Sequence, residues 1–87
     1  MKERKYEKRV LPLKEENLSS FVSTYSGRFV RITDSRRRVI EGRLFVNRKD
    51  PCYSSHFYGI QKSKRVDYYP YRDIRVFRVD MGDGGRP

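Results

Sequence analysis

Eighty-seven residues fit one domain and exclude two independent cores. With 21 Lys and Arg against 11 Asp and Glu the formal net charge is +10, a field that attracts polyanions, nucleic acid first among them. No stretch reaches the length of a spanning helix and no apolar segment follows the basic start, so no membrane partner is expected. Cys52 stands alone, which excludes an intrachain disulfide and suits a reducing compartment, the cytoplasm by default.

Residues 1–13 open the chain with mixed charge around Tyr6 and then Leu11, Pro12 and Leu13. So little apolar surface predicts a mobile basic arm outside the core. From Lys14 to Tyr25 the residues Leu18, Phe21, Val22 and Tyr25 fall at i, i+3, i+4 and i+7, which predicts one helix of about three turns with one apolar stripe. Glu15 and Glu16 favour its N-terminal end, and Gly27 can take the left-handed conformation beyond its C-terminal end.

After Arg28 the period changes to two. Val30 and Ile32 alternate with Arg31 and Thr33, Asp34 and Ser35 are turn residues, and Ile40, Gly42, Leu44 and Val46 continue the alternation. Gly42 marks a bend or a close backbone approach within the second strand. A turn over Asn47 to Pro51 leads to a third strand, Tyr53 to Gln61, with Tyr53, Phe57 and Gly59 on one face. A fourth strand, Arg65 to Tyr69, is ended by Pro70. In a fifth, Asp73 to Asp80, Ile74 and Val76 share one face while Phe77 and Val79 share the other, so the strand either changes face midway or pairs across a bend. Residues 82–87 are a flexible tail rich in Gly.

The order of helix and short strands predicts a mainly β fold with one N-terminal helix, a small five-stranded antiparallel SH3-like or Sm-like barrel spanning residues 14–81. The helix is expected to cover one open end. Turns of a meander alternate between the ends of the sheet, which sorts the charges. One end is expected to collect Arg36, Arg37, Arg38, Lys62, Lys64 and Arg65. The other collects Arg48, Lys49 and Arg72, with Tyr69 and Tyr71 as rings on which bases stack. A run of three arginines in a turn is equally well a solvated, solubilising turn. Two separated basic turns converging on one end favour binding.

The segment from Ser26 to Asn47 resembles the first motif of the Sm-like (Hfq-like) family: a helix ending at Gly27, then Val30 and Ile32, a basic turn at Asp34, Gly42 in the second strand and Leu44 two positions on. The resemblance covers about Lys14 to Val79 and implies a five-stranded barrel, RNA binding, and rings assembled by pairing of the fourth and fifth strands. Two loops depart from the family pattern. Asn47, Arg48, Lys49 and Asp50 lack its Asp and Asn spacing, and Tyr69-Pro70-Tyr71-Arg72 stands in place of its second motif.

Catalytic and metal chemistry find no support. Cys52 and His56 are single residues of their types and cannot complete a tetrahedral zinc site, no Gly-rich phosphate loop precedes a helix, and no paired carboxylates are evident. The expectation is a non-enzymatic module without cofactor that binds RNA or another single-stranded nucleic acid through Arg36, Arg37, Arg38, Lys62, Lys64, Arg65, Tyr69, Tyr71 and Arg72. The alternative is an SH3- or Tudor-like interaction module, or a structural subunit, that docks an acidic protein, with Tyr53, Tyr68 and Tyr71 lining a peptide groove. A homo-oligomer fits either.

Overall fold

A computed structural model describes residues 5–46 and 56–81. Expectations resting on Arg48, Lys49, Asp50, Cys52, Tyr53 and the tail 82–87 lie outside the described residues. The chain forms β1 (Tyr6–Arg9), α1 (Leu18–Ser23), β2 (Phe29–Asp34), β3 (Val39–Phe45), β4 (Phe57–Gln61), β5 (Val66–Pro70) and β6 (Ile74–Asp80), with 3-10 turns at Glu15–Asn17 and Tyr71–Asp73. The strands make one antiparallel sheet in the order β1-β6-β2-β3-β4-β5.

Two expectations need correction. Among the described residues six strands are present where five were expected, and the sheet they form is not closed by hydrogen bonds into a barrel: β1 and β5 are its edges. The extra strand comes from the segment expected to lie outside the fold. Tyr6–Arg9 pairs with β6, Tyr6 opposite Asp80 and Arg9 opposite Phe77. Its single ring holds it in place: the Tyr6 hydroxyl donates to Glu41 Oε2 at 2.7 Å, and the Arg31 guanidinium sits 4.3 Å from the ring centre.

The alternation in β2 and β3 produces burial on every second residue, so Val30, Ile32, Ile40 and Leu44 face the core. Gly42 faces inward as well, and the reason is close approach. A Cβ there would stand 2.6 Å from Ile60 Cγ2 and 2.9 Å from the Gln61 carbonyl oxygen. In β6 the pairing with β2 slips: Thr33 lies opposite Val76 and Asp34 opposite Ile74. Arg75 is therefore the extra residue of a bulge, and this slip moves the buried set from Ile74 to Phe77 and Val79.

The helix is shorter than its apolar stripe. Glu15–Asn17 forms a 3-10 turn and the α-helix covers six residues. Ser23 and Thr24 donate back to the carbonyls of Ser19 and Ser20 at 2.6 and 3.0 Å, a side-chain competition that makes the segment a weak helix former. The stripe still works as expected: Leu18 and Val22 are buried, and Phe21 and Tyr25 pack on Phe77 with ring centres 5.6 and 5.4 Å away. Gly27 then turns the chain at φ 92°, and its N–H donates to the Leu44 carbonyl.

Across the sheet Pro70 lies opposite Phe57, while four residues later Ile74 lies opposite Asp34. Four residues span at most about 14 Å, so the sheet curls until the far end of β5 meets the tip of β2. Tyr58 and Tyr71 fill the interior of this curl with ring centres 5.4 Å apart. Burial pushes the Tyr58 hydroxyl pKa far up, and the neighbouring Tyr69, Asp34 and Asp73 add to the effect, so the phenol stays neutral. No helix among the described residues is long and apolar enough to cross a membrane.

Candidate nucleic-acid interface

The β2–β3 hairpin is built around a carboxylate. Asp34 continues the inward alternation of β2, yet its side chain has no apolar role: Oδ1 accepts the N–H groups of Arg36 and Arg38 at 2.9 and 2.8 Å, and Oδ2 accepts Arg38 Nε at 2.9 Å. Burial acts alone to raise the Asp34 pKa and is the largest single influence, but the Arg38 N–H, the Arg38 guanidinium and the Arg36 N–H together hold it below the usual carboxylate range. The turn closes with the Arg37 N–H donating to the Asp34 carbonyl at 3.0 Å, and this geometry forces Arg37 to φ 66°. That is the left-handed region, where Gly or Asn is at home and an arginine is strained by about 1–2 kcal/mol.

The nine residues expected to form a site separate into three groups. Arg36 and Arg37 are exposed and, among the described residues, no carboxylate lies within ion-pair distance of either. Arg38 is committed to Asp34 and serves the turn. In the β4–β5 turn, Lys62 and Arg65 share Asp67 at 3.6 and 3.2 Å, while Lys64 has no ion-pair partner among the described residues.

Both basic turns do lie at one end, because β2 and β4 each run antiparallel to β3. They are not level. Gln61 lies opposite Arg43, so the β4–β5 turn flanks Glu41 and Gly42, while the arginine turn projects about 10 Å further along β3.

The third group requires correction. Arg72 was expected at the opposite end with Tyr69 and Tyr71, but the curl of the sheet carries the Tyr71–Asp73 turn to the tip of β2, where Ile74 pairs with Asp34. Arg72 thus joins the arginine turn. Tyr71 is only 3% exposed and belongs to the core, so its ring is not a stacking surface. Its hydroxyl is buried and makes no hydrogen bond of good geometry among the described residues; burial pushes its pKa up, and the Ser23 hydroxyl nearby offsets this in part. Tyr69 is partly buried against Tyr58, with ring centres 5.8 Å apart.

Arg75 belongs to the site and was not anticipated. As the bulged residue it points to solvent, and its Nη1 donates to the carbonyls of Arg72 and Ile74 at 2.8 and 3.1 Å. Those contacts fix the guanidinium without neutralising it. Because Ile74 lies opposite Asp34, the backbone that carries Arg72 and Arg75 flanks the base of the turn that presents Arg36 and Arg37, with the Asp34 carboxylate saturated by the turn itself. The sequence sign of Arg75 was the change of face within β6, which demands an extra residue near that position.

Beside this cluster runs an open groove of about 570 Å³, lined by Glu15, His56, Phe57, Pro70, Tyr71 and Arg72. It is within the size range of small-ligand sites, and it brings two exposed rings, those of His56 and Phe57, next to Arg72. No cluster of three or more His, Cys, Asp or Glu arranged to hold a metal occurs among the described residues. Comparison with protein-family models, with curated proteins and with solved structures gives no match for this chain.

Proposed function

We propose that this chain is a non-catalytic module that binds single-stranded nucleic acid, RNA in the first instance, through the arginine cluster at the β2–β3 tip. The observation that carries the reading is Arg37. A position whose backbone favours glycine holds an arginine at φ 66°, exposed, uncompensated and beside Arg36, Arg72 and Arg75. A purely solubilising turn has no need of a cation at the one strained position. In this reading the four arginines contact phosphates and the groove rings of His56 and Phe57 replace Tyr71 as the stacking surface.

The strand order β6-β2-β3-β4-β5, in which the last strand returns beside the first of the meander, supports a small-barrel ancestry of the SH3-like or Sm-like kind. Ring assembly through the fourth and fifth strands of the meander is a separate matter. The outer edge of β6 is already paired with β1, and such assembly would require β1 to be displaced.

The test is fluorescence anisotropy with short single-stranded RNA, single-stranded DNA and duplex, across a salt series. With four phosphates neutralised on a single strand the log-log salt slope is expected to be about −3. No binding at low salt, or binding that does not respond to salt, would refute the proposal and turn attention to an acidic protein partner.

A further inference from the structure

Away from the hairpin tip, the outer face of the sheet carries a second basic feature. Lys8 lies opposite Arg78 on β6, and Arg78 lies opposite Arg31 on β2, so three cations occupy adjacent positions in one row across β1, β6 and β2. Directly opposed residues on neighbouring antiparallel strands stand about 4.5–5.5 Å apart, and like charges in that arrangement are destabilising. Arg31 is relieved by Glu41 at 3.5 Å and by the Tyr6 ring. Arg78, in the middle of the row, has no carboxylate within ion-pair distance among the described residues, and neither has Lys8. A row that costs the free protein stability is one that a bound polyanion would stabilise.

We infer that the row Lys8, Arg78 and Arg31 is a second phosphate-contact surface, which extends the path of a single strand from the hairpin tip onto the outer face of the sheet. This rests on the nucleic-acid reading above. The two surfaces are joined by β2 itself: Arg31 lies three residues, about 10 Å, before Asp34 at the base of the arginine turn. The row also gives β1 a purpose, since that strand supplies its outermost cation.

The test compares the native protein with Lys8→Thr/Arg78→Thr, using labelled oligouridylates of 4 and 12 nucleotides across a salt series, with urea denaturation of both proteins. The 4-mer is expected to bind both equally, because the tip is untouched. The 12-mer is expected to bind the variant about tenfold more weakly, with a salt slope shallower by about 1.4. The variant should unfold at equal or higher urea. Equal binding of the 12-mer by both proteins, or a variant that unfolds at lower urea, would overturn the inference while leaving the tip in place. Failure of the native protein to bind either oligomer would instead overturn the functional reading on which it rests. Lys8→Thr alone, an exposed edge-strand change, serves as the second variant and should show half the change in slope.

Discussion

Arg38 Nε donates to Asp34 Oδ2 at 2.9 Å, and this bond divides three consecutive arginines into one that builds the turn and two that the turn presents. Asp34 is buried, spends both oxygens on its own hairpin, and leaves Arg36 and Arg37 at the surface without an ion-pair partner among the described residues. The arrangement makes separate predictions for the fold and for binding.

Arg37→Gly should raise stability and lower affinity together. Glycine adopts φ 66° without the Cβ penalty, a gain of about 1 kcal/mol that should raise the melting temperature by roughly 4–8 °C in a chain of this size. The same change removes one phosphate contact, so affinity for single strands should fall and the salt slope become shallower by about 0.7. Thermal melts and an anisotropy titration on one preparation measure both.

Asp34 should give the fold a specific sensitivity to acid. Its folded-state pKa lies below the ordinary value of 3.8, so its stabilisation is fully present above that value and is lost as the pH falls through the lower, folded-state value. Asp34→Asn should be less stable than the native protein at pH 7, and the gap between the two urea midpoints should narrow as the pH is taken from 5 to 2. A constant gap across that range would show that the charge of Asp34 is not what holds the turn.

Gly42→Ala should be destabilising by about 1–3 kcal/mol, since the new methyl group meets Ile60 Cγ2 at 2.6 Å and the backbone carbonyl oxygen of Gln61 at 2.9 Å, and a paired backbone has little room to yield. Urea denaturation of the variant reads this directly.

Tyr71→Phe separates a core tyrosine from a ligand-binding one. Removing a buried hydroxyl that makes no hydrogen bond of good geometry among the described residues should leave stability unchanged or raise it by about 1 kcal/mol, and affinity for single strands should not change. A marked loss of affinity would place the Tyr71 hydroxyl at the ligand.

What the sequence made legible follows physical locality. The hairpin of β2 and β3 was readable because one face of each strand is buried and the other is not, and Gly27 and Gly42 were readable because turn and close approach leave few alternatives. The pattern in β6 left a face change and a bend both open, and the register slip that puts Arg75 out of the pairing settles it as a face change. β1 was not readable, because a segment with one ring becomes a strand only through the edge of β6 and through Tyr6 reaching Glu41, 35 residues away. The positions of Arg72 and Tyr71 were misplaced for a related reason. Alternation along Tyr69-Pro70-Tyr71 ignores the 3-10 turn that follows Pro70, and that turn sends Tyr71 into the core and Arg72 to the arginine tip. How far a sheet curls is a property of its whole twist and is not written in any one strand.

The most direct measurement of the central claim is the salt-dependent affinity of Arg36→Ala/Arg37→Gly for a short single-stranded RNA, beside Lys62→Ala/Lys64→Ala as a control at the neighbouring basic turn. Both pairs remove two cations from exposed or half-buried turn positions, so net charge falls equally. The arginine pair should lose most of its affinity, with a slope shallower by about 1.4, while the lysine pair should keep most of its affinity. Equal losses in the two variants would mean that only net charge matters, and native affinity in the arginine pair would contradict the assignment of the tip as the binding surface.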